Sequence, residues 1–215
     1  MNIKVAIAAS FLLATQAQAA EMLFSDRAAF EGTLTASVTD DYSNPGYVFR
    51  QDNAAMSAVL GETRYSATGF LPYEINIVTG GYYCAGCNGS FTLDFGSTSV
   101  SQGNGVYGVG FNFFNANGFH DALVTFGDGV SQLFDLGAAQ FPVSAFWGIT
   151  STRQVTSIAF GPNGNPTTNG SFGIDNLTIG AGGAVPEAAT WAMLIVGFGF
   201  IGAAARRRRS TSVLA

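Results

Sequence analysis

Lysine is nearly missing from this chain. The single one, Lys4, stands near the N-terminus, and between Ala20 and Val185 the only cations are Arg27, Arg50, Arg64 and Arg153. Thirteen carboxylates occupy the same stretch, which leaves it at −9 against −5 for the whole chain. A body without a basic patch cannot neutralise phosphates, so a nucleic-acid partner is excluded. Histidine is limited to His120 and cysteine to Cys84 and Cys87, too few for a zinc site of the usual ligand pairs. A Ser-His-Asp triad would have to run through Phe119-His120-Asp121, and no G-x-S-x-G elbow presents a serine to it. Charge is scarce at 11% while aromatics reach 13%, the reverse of a disordered composition.

What is present reads as one all-β domain over residues 20–180, an antiparallel sandwich or jelly roll with a short N-terminal helix. The helix is expected within Leu23–Glu31, with Ser25 as its cap and Phe24, Ala29 and Phe30 turned inward. Asp40-Asp41-Tyr42-Ser43-Asn44-Pro45-Gly46 is turn chemistry, and weak strands follow at Thr63–Ala67 and Glu74–Thr79. Alternation then sharpens. Phe91, Leu93 and Phe95 share one strand face, and Tyr107, Val109, Phe111 and Phe113 alternate with Gly108, Gly110 and Asn112. Leu123–Phe126 and Val130–Leu136 flank Gly127-Asp128-Gly129, a hairpin signal. Further strands are expected at Ala145–Thr150, Val155–Phe160 and Phe172–Ile179.

Both termini carry membrane chemistry. Residues 1–19 have the parts of a secretory signal: Lys4, the apolar run Val5–Ala14, and Ala17-Gln18-Ala19 as the cleavage site. At the other end, residues 181–185 have linker composition, and no charge occurs from Ala188 to Ala205. A helix over 188–205 would cover about 27 Å, close to the hydrocarbon thickness of a bilayer. Arg206, Arg207, Arg208 and Arg209 would stop it at the cytoplasmic face, leaving 210–215 as a cytoplasmic tail.

The order of these parts is specific. Pro186, Glu187, Trp191 and Ala192, then the apolar run and four arginines, resemble the PEP-CTERM protein-sorting signal in its Pro-Glu-Pro-x-x-Trp-Ala variant. Ala188 stands where that variant has its second proline. The resemblance implies a route: export by signal peptidase and the Sec translocon, transient residence in the inner membrane of a Gram-negative bacterium, and cutting near Pro-Glu by an exosortase-type membrane protease. The cell surface or extracellular matrix follows. A permanent C-terminal anchor is the competing reading. The opening Phe24–Phe30 and the closing Phe172-Gly173-Ile174-Asp175-Asn176-Leu177 are also similar to the first and last segments of exported domains that precede this signal.

Within the body, Cys84-Ala85-Gly86-Cys87 is expected to form a local disulfide in a glycine-rich loop rather than a redox motif, because no βαβ frame surrounds it. Gly103–Gly108 matches G-x-G-x-x-G without the strand–turn–helix setting of a dinucleotide site, and reads as a turn entering a strand. Carboxylates and loop oxygens could hold Ca²⁺, with Asp40 and Asp41 (beside Asn44), Asp128 and Asp135, and Asp175 as candidate ligands; ordinary turn carboxylates are the alternative. Tyr47, Tyr82, Tyr83, Phe114, Phe119 and Trp147 are candidates for a sugar-stacking platform or for the core. The expected function is non-catalytic, in binding exopolysaccharide or mediating adhesion. A secreted hydrolase acting on glycans or esters is the alternative.

Overall fold

The computed structural model describes residues 21–68, 75–101, 103–115, 120–139, 143–165, 172–182 and 196–199. Ala19–Ala184 forms one compact unit, distinct from a unit comprising Met1–Gln18 and Val185–Ala215. In chain order the body starts with β1 (Glu21–Phe24), α1 (Arg27–Glu31), β2 (Leu34–Asp40), β3 (Arg50–Gln51) and α2 (Asn53–Ala58). Then come β4 (Arg64–Ala67), β5 (Asn76–Thr79), β6 (Tyr82–Ala85), β7 (Phe91–Asp94) and β8 (Val106–Asn115). The last strands are β9 (Asp121–Phe126), β10 (Ser131–Asp135), β11 (Ala145–Gly161) and β12 (Phe172–Gly182).

The architecture is all-β and antiparallel, and its hydrogen bonding is continuous through twelve strands rather than divided between two sheets. β11 makes this continuity. Its first half lies between β1 and β8, and its second half between β7 and β9. The sequence reads as two strands separated at Ser151–Gln154; the structure keeps one 17-residue strand and changes its neighbours at that polar stretch. The Phe111 ring lies 5.3 Å from Trp147 and 5.3 Å from Phe160, two residues of β11 that a straight strand would hold about 43 Å apart. β11 therefore folds over the core, and the sheet wraps with it. Inside, Phe91 meets Tyr83, Phe160 and Phe172 with ring centroids 4.8 to 5.6 Å apart.

A second apolar layer sits on the opposite face. Phe30 of α1 is fully buried there, against Phe24 and Phe146. Glycines make the room: a Cβ on Gly110 would come within 2.7 Å of the Phe30 ring and 2.8 Å of Phe146, and one on Gly108 within 2.5 Å of Leu34. The alternation of β8 thus has a use on both faces, with aromatics toward the core and glycines under the helix.

Local differences from the sequence reading have local causes. Glu21–Phe24 pairs with β11, so the helix starts later and Asp26, not Ser25, caps it, accepting from Ala29 N at 2.8 Å. The helix α2 was not expected; Asp52 caps it through Ala55 N at 2.7 Å, and alanines with Met56 fill it. At the 127–129 hairpin only Gly129 takes positive φ, +82°, which makes the turn a type I turn followed by a bulge. β12 continues through Ala181 and Gly182, two residues assigned to the linker, because Gly182 still pairs with Leu34. The expected membrane helix over 188–205 lies outside the described residues except for one helical turn at 196–199. Among the described residues no helix is long and apolar enough to cross a membrane.

Candidate functional site

The densest polar arrangement on the helix-bearing face is built by Arg27. Its Nε and Nη2 donate to Asn112 Oδ1 at 3.1 and 2.6 Å, Nη1 donates to Thr178 Oγ1 at 2.9 Å, and Nη2 also reaches the Asn176 carbonyl at 2.7 Å. The guanidinium stands 4.8 Å from the Phe146 ring centroid and pairs with Glu31 at 3.0 Å. The Asn176 carbonyl is available because Asn176 adopts φ +51° within a register shift between Asp175 and Thr178. Asparagine tolerates that left-handed geometry better than most residues. The two segments singled out at the ends of the body, Phe24–Phe30 and Phe172–Leu177, therefore meet through Arg27 and Asn176. Asp175 lies beside them, half-buried, and burial raises its pKa against the pull of the Asn176 hydrogen bonds and the Arg27 charge. Sequence reasoning missed Arg27 and Thr178, because their meeting is made by strand pairing between distant parts of the chain.

A second arrangement surrounds Asp40, the last residue of β2. Its carboxylate is buried and accepts from Tyr42 N at 3.0 Å, from the Tyr47 hydroxyl, and from the Tyr65 hydroxyl at 3.2 Å. Burial raises its pKa, and the hydrogen bonds from Tyr47, Tyr42 and Tyr65 oppose that. Asp40, Tyr47 and Tyr65 border a small cavity with Met56, Leu60 and Glu62, of about 10 Å³, room for one water and not for a sugar ring.

The candidate Ca²⁺ ligands are not brought together. Asp40 is committed to its tyrosines, while Asp41 accepts from Ser43 N and Oγ and Asn44 accepts from Gly46 N. Asp128 accepts from Val130 N and from Arg153, and Asp135 from Gly137 N at the far end of β10, opposite Asp121. Among the described residues no three His, Cys, Asp or Glu side chains form a group that could hold a metal. Cys84 and Cys87 are joined by a disulfide, with Cys84 buried in β6 rather than in a loop and Cys87 at φ +57°. Of the aromatic candidates, Tyr83 and Trp147 are core residues, Tyr47 turns to Asp40, and Tyr82 packs edge-on against Phe114 at 5.3 Å. Phe119 lies outside the described residues.

His120 is a core residue. It is 1% exposed, stacks on Phe172 at 4.9 Å, and neither ring nitrogen has a hydrogen-bond partner among the described residues. Burial lowers its pKa to about 4, with Asp121 opposing weakly. The unfolded chain therefore takes up this proton more readily than the folded one. The His120 contribution leaves stability unaffected above about pH 6.5 and lowers it as pH drops, by about 3 kcal/mol at pH 4. Denaturant titrations at pH 7 and pH 4 on wild type and His120→Leu should differ by that amount; equal pH dependence in the two proteins would refute the assignment.

The sorting-motif residues Pro186, Glu187, Ala188, Trp191 and Ala192, and Arg206–Arg209, all lie outside the described residues. They are covered by comparison instead: residues 184–209 match the PEP-CTERM protein-sorting motif. No curated protein and no solved structure matches the chain.

Proposed function

We propose that this chain, which ends in a PEP-CTERM sorting motif, is an exported, non-catalytic protein of the cell surface or extracellular matrix. The observation that carries the reading is the match over residues 184–209, behind a secretory signal at 1–19 and an acidic, lysine-free body. In this reading signal peptidase cuts after Ala19, the tail holds the chain in the inner membrane, and an exosortase-type protease cuts near Pro186-Glu187. In this reading the wrapped twelve-strand sheet is the exported body. Its role is adhesion or binding of exopolysaccharide along an outer surface, since the Asp40 cavity is too small for a sugar. Support for a non-catalytic body comes from the chemistry of its polar side chains: His120 is stacked in the core, and Asp40, Asp41 and Asp128 are held by their own tyrosine, serine and arginine partners.

The test is mass spectrometry of the protein recovered from the cell exterior of an exosortase-bearing host. The expected mature chain begins at Ala20 and ends near Glu187. A mature chain that still carries Arg206–Arg209 would overturn the sorting reading in favour of a permanent anchor. Retention on an exopolysaccharide column, absent for an equally acidic control protein, tests the binding role.

A further inference from the structure

The strand register places both ends of the body side by side. Met22 pairs with Thr150, Thr150 with Gly108, and Gly108 with Gly180, so these four residues form one row across β1, β11, β8 and β12. Each step is antiparallel, so β1 runs opposite to β12. Going back from Met22 to Glu21 and forward from Gly180 to Gly182 therefore leads toward the same end of the sheet. The two departures are three strand spacings apart, about 14 Å.

The chain beyond each departure is short. Three residues separate Gly182 from Pro186, a reach of about 11 Å when extended, and six residues separate Ala14 from Glu21, about 21 Å. The same end holds the crossing of β11, where Gly127 N bonds Gln154 O at 2.8 Å and the Gly103 backbone lies against the Gln154 side chain. Arg153 stands there over the Phe126 ring, 3.7 Å from its centroid, and pairs with both Glu21 and Asp128. Glu21 and Asp128 are thus held on one arginine, and the turns around them are made of Gly103, Asn104, Gly105, Gly127 and Gly129. An acidic body is repelled from an anionic lipid surface; at this end Arg153 offsets one of the two carboxylates it holds, leaving a net charge of −1 on the three groups.

The geometry points to this end of the sheet as the surface that the body sets against lipid headgroups while it is still membrane-attached. The inference rests on the tail reading above and adds an orientation to it. In this orientation the body can complete its fold, β1 and β12 included, while both of its ends are still tethered, and the β11 crossing is the part nearest the headgroups.

The experiment uses the full chain in vesicles of phosphatidylethanolamine and phosphatidylglycerol carrying a headgroup nitroxide. A fluorophore is placed on Asn104→Cys or on Ser144→Cys, both exposed, with the Cys84–Cys87 disulfide left intact. Ser144 precedes β11 at the opposite end, about 20 Å along the strand from Ser151. Quenching several-fold stronger at 104 than at 144 supports the orientation. Equal quenching, or stronger quenching at 144, in chains that float with the vesicles overturns the orientation and leaves the tail reading standing. Chains that do not float with vesicles at all overturn both.

Discussion

Replacing Phe30 with alanine is expected to lower the unfolding free energy by about 3–5 kcal/mol, the range for truncating a fully buried phenylalanine. The value belongs at the upper part of that range because the site has little means of collapsing. Phe30 lies over backbone: its neighbours include Gly108, Gly110 and Gly148, which have no side chains to move into the void. Denaturant unfolding followed by tryptophan fluorescence gives the number directly. A reciprocal change, Gly110→Val, attacks the same contact from below. Its Cβ would meet Phe30 and Phe146 together, so neither ring can yield toward the other, and a loss of about 1–3 kcal/mol from overpacking is expected. A loss below 1 kcal/mol for Phe30→Ala would mean that α1 does not seat on the sheet as described.

Arg27→Leu is the second large effect, about 2–4 kcal/mol. Leucine keeps some contact with Phe146 but removes the guanidinium donors from Asn112 Oδ1, Thr178 Oγ1 and the Asn176 carbonyl, which lie in a half-buried setting; Thr178 retains only its hydroxyl contacts to Thr39 and Asn176. Arg27→Lys separates charge from geometry. A lysine keeps the cation near Glu31 yet offers one compact donor group in place of a planar fork, so it should recover less than half of the loss. Recovery to wild type by lysine would show that only the charge matters. Thermal unfolding of the three proteins, measured at low and high salt, distinguishes these outcomes because the Glu31 pair is exposed enough to be screened while the contacts to Asn112 and Asn176 are not.

Much of the β framework was legible because alternation reports one-sided burial. The faces Phe91-Leu93 and Val109-Phe111-Phe113 were assigned from period alone, and all are buried in the core. What period cannot report is a strand that changes sheets' worth of neighbours partway along. Ser151-Thr152-Arg153-Gln154 reads as a break because its side chains serve the crossing rather than the core. Helices of five and six residues leave less than two turns of pattern, so the sequence alone starts α1 a few residues early and gives no signal for α2. For the polar sites the limit is different. Asp40, Asp41 and Asn44 are adjacent in sequence, which invites a ligand cluster, but each is drawn to a different local partner by the turn itself. Arg27 and Asn176 are 149 residues apart, and nothing local to either encodes their meeting.

The single row that holds Met22 and Gly180 has a use beyond the membrane. A domain whose two ends leave within about 14 Å of each other can be spliced into a surface loop of a host protein without prying the host apart. It can equally be closed into a ring by a linker of a few glycines and reopened at the exposed Asp128 turn. The strand that begins at Glu21 would then be fed from Gly182 instead of from a signal, and the order of secondary structure would change while the register stayed the same.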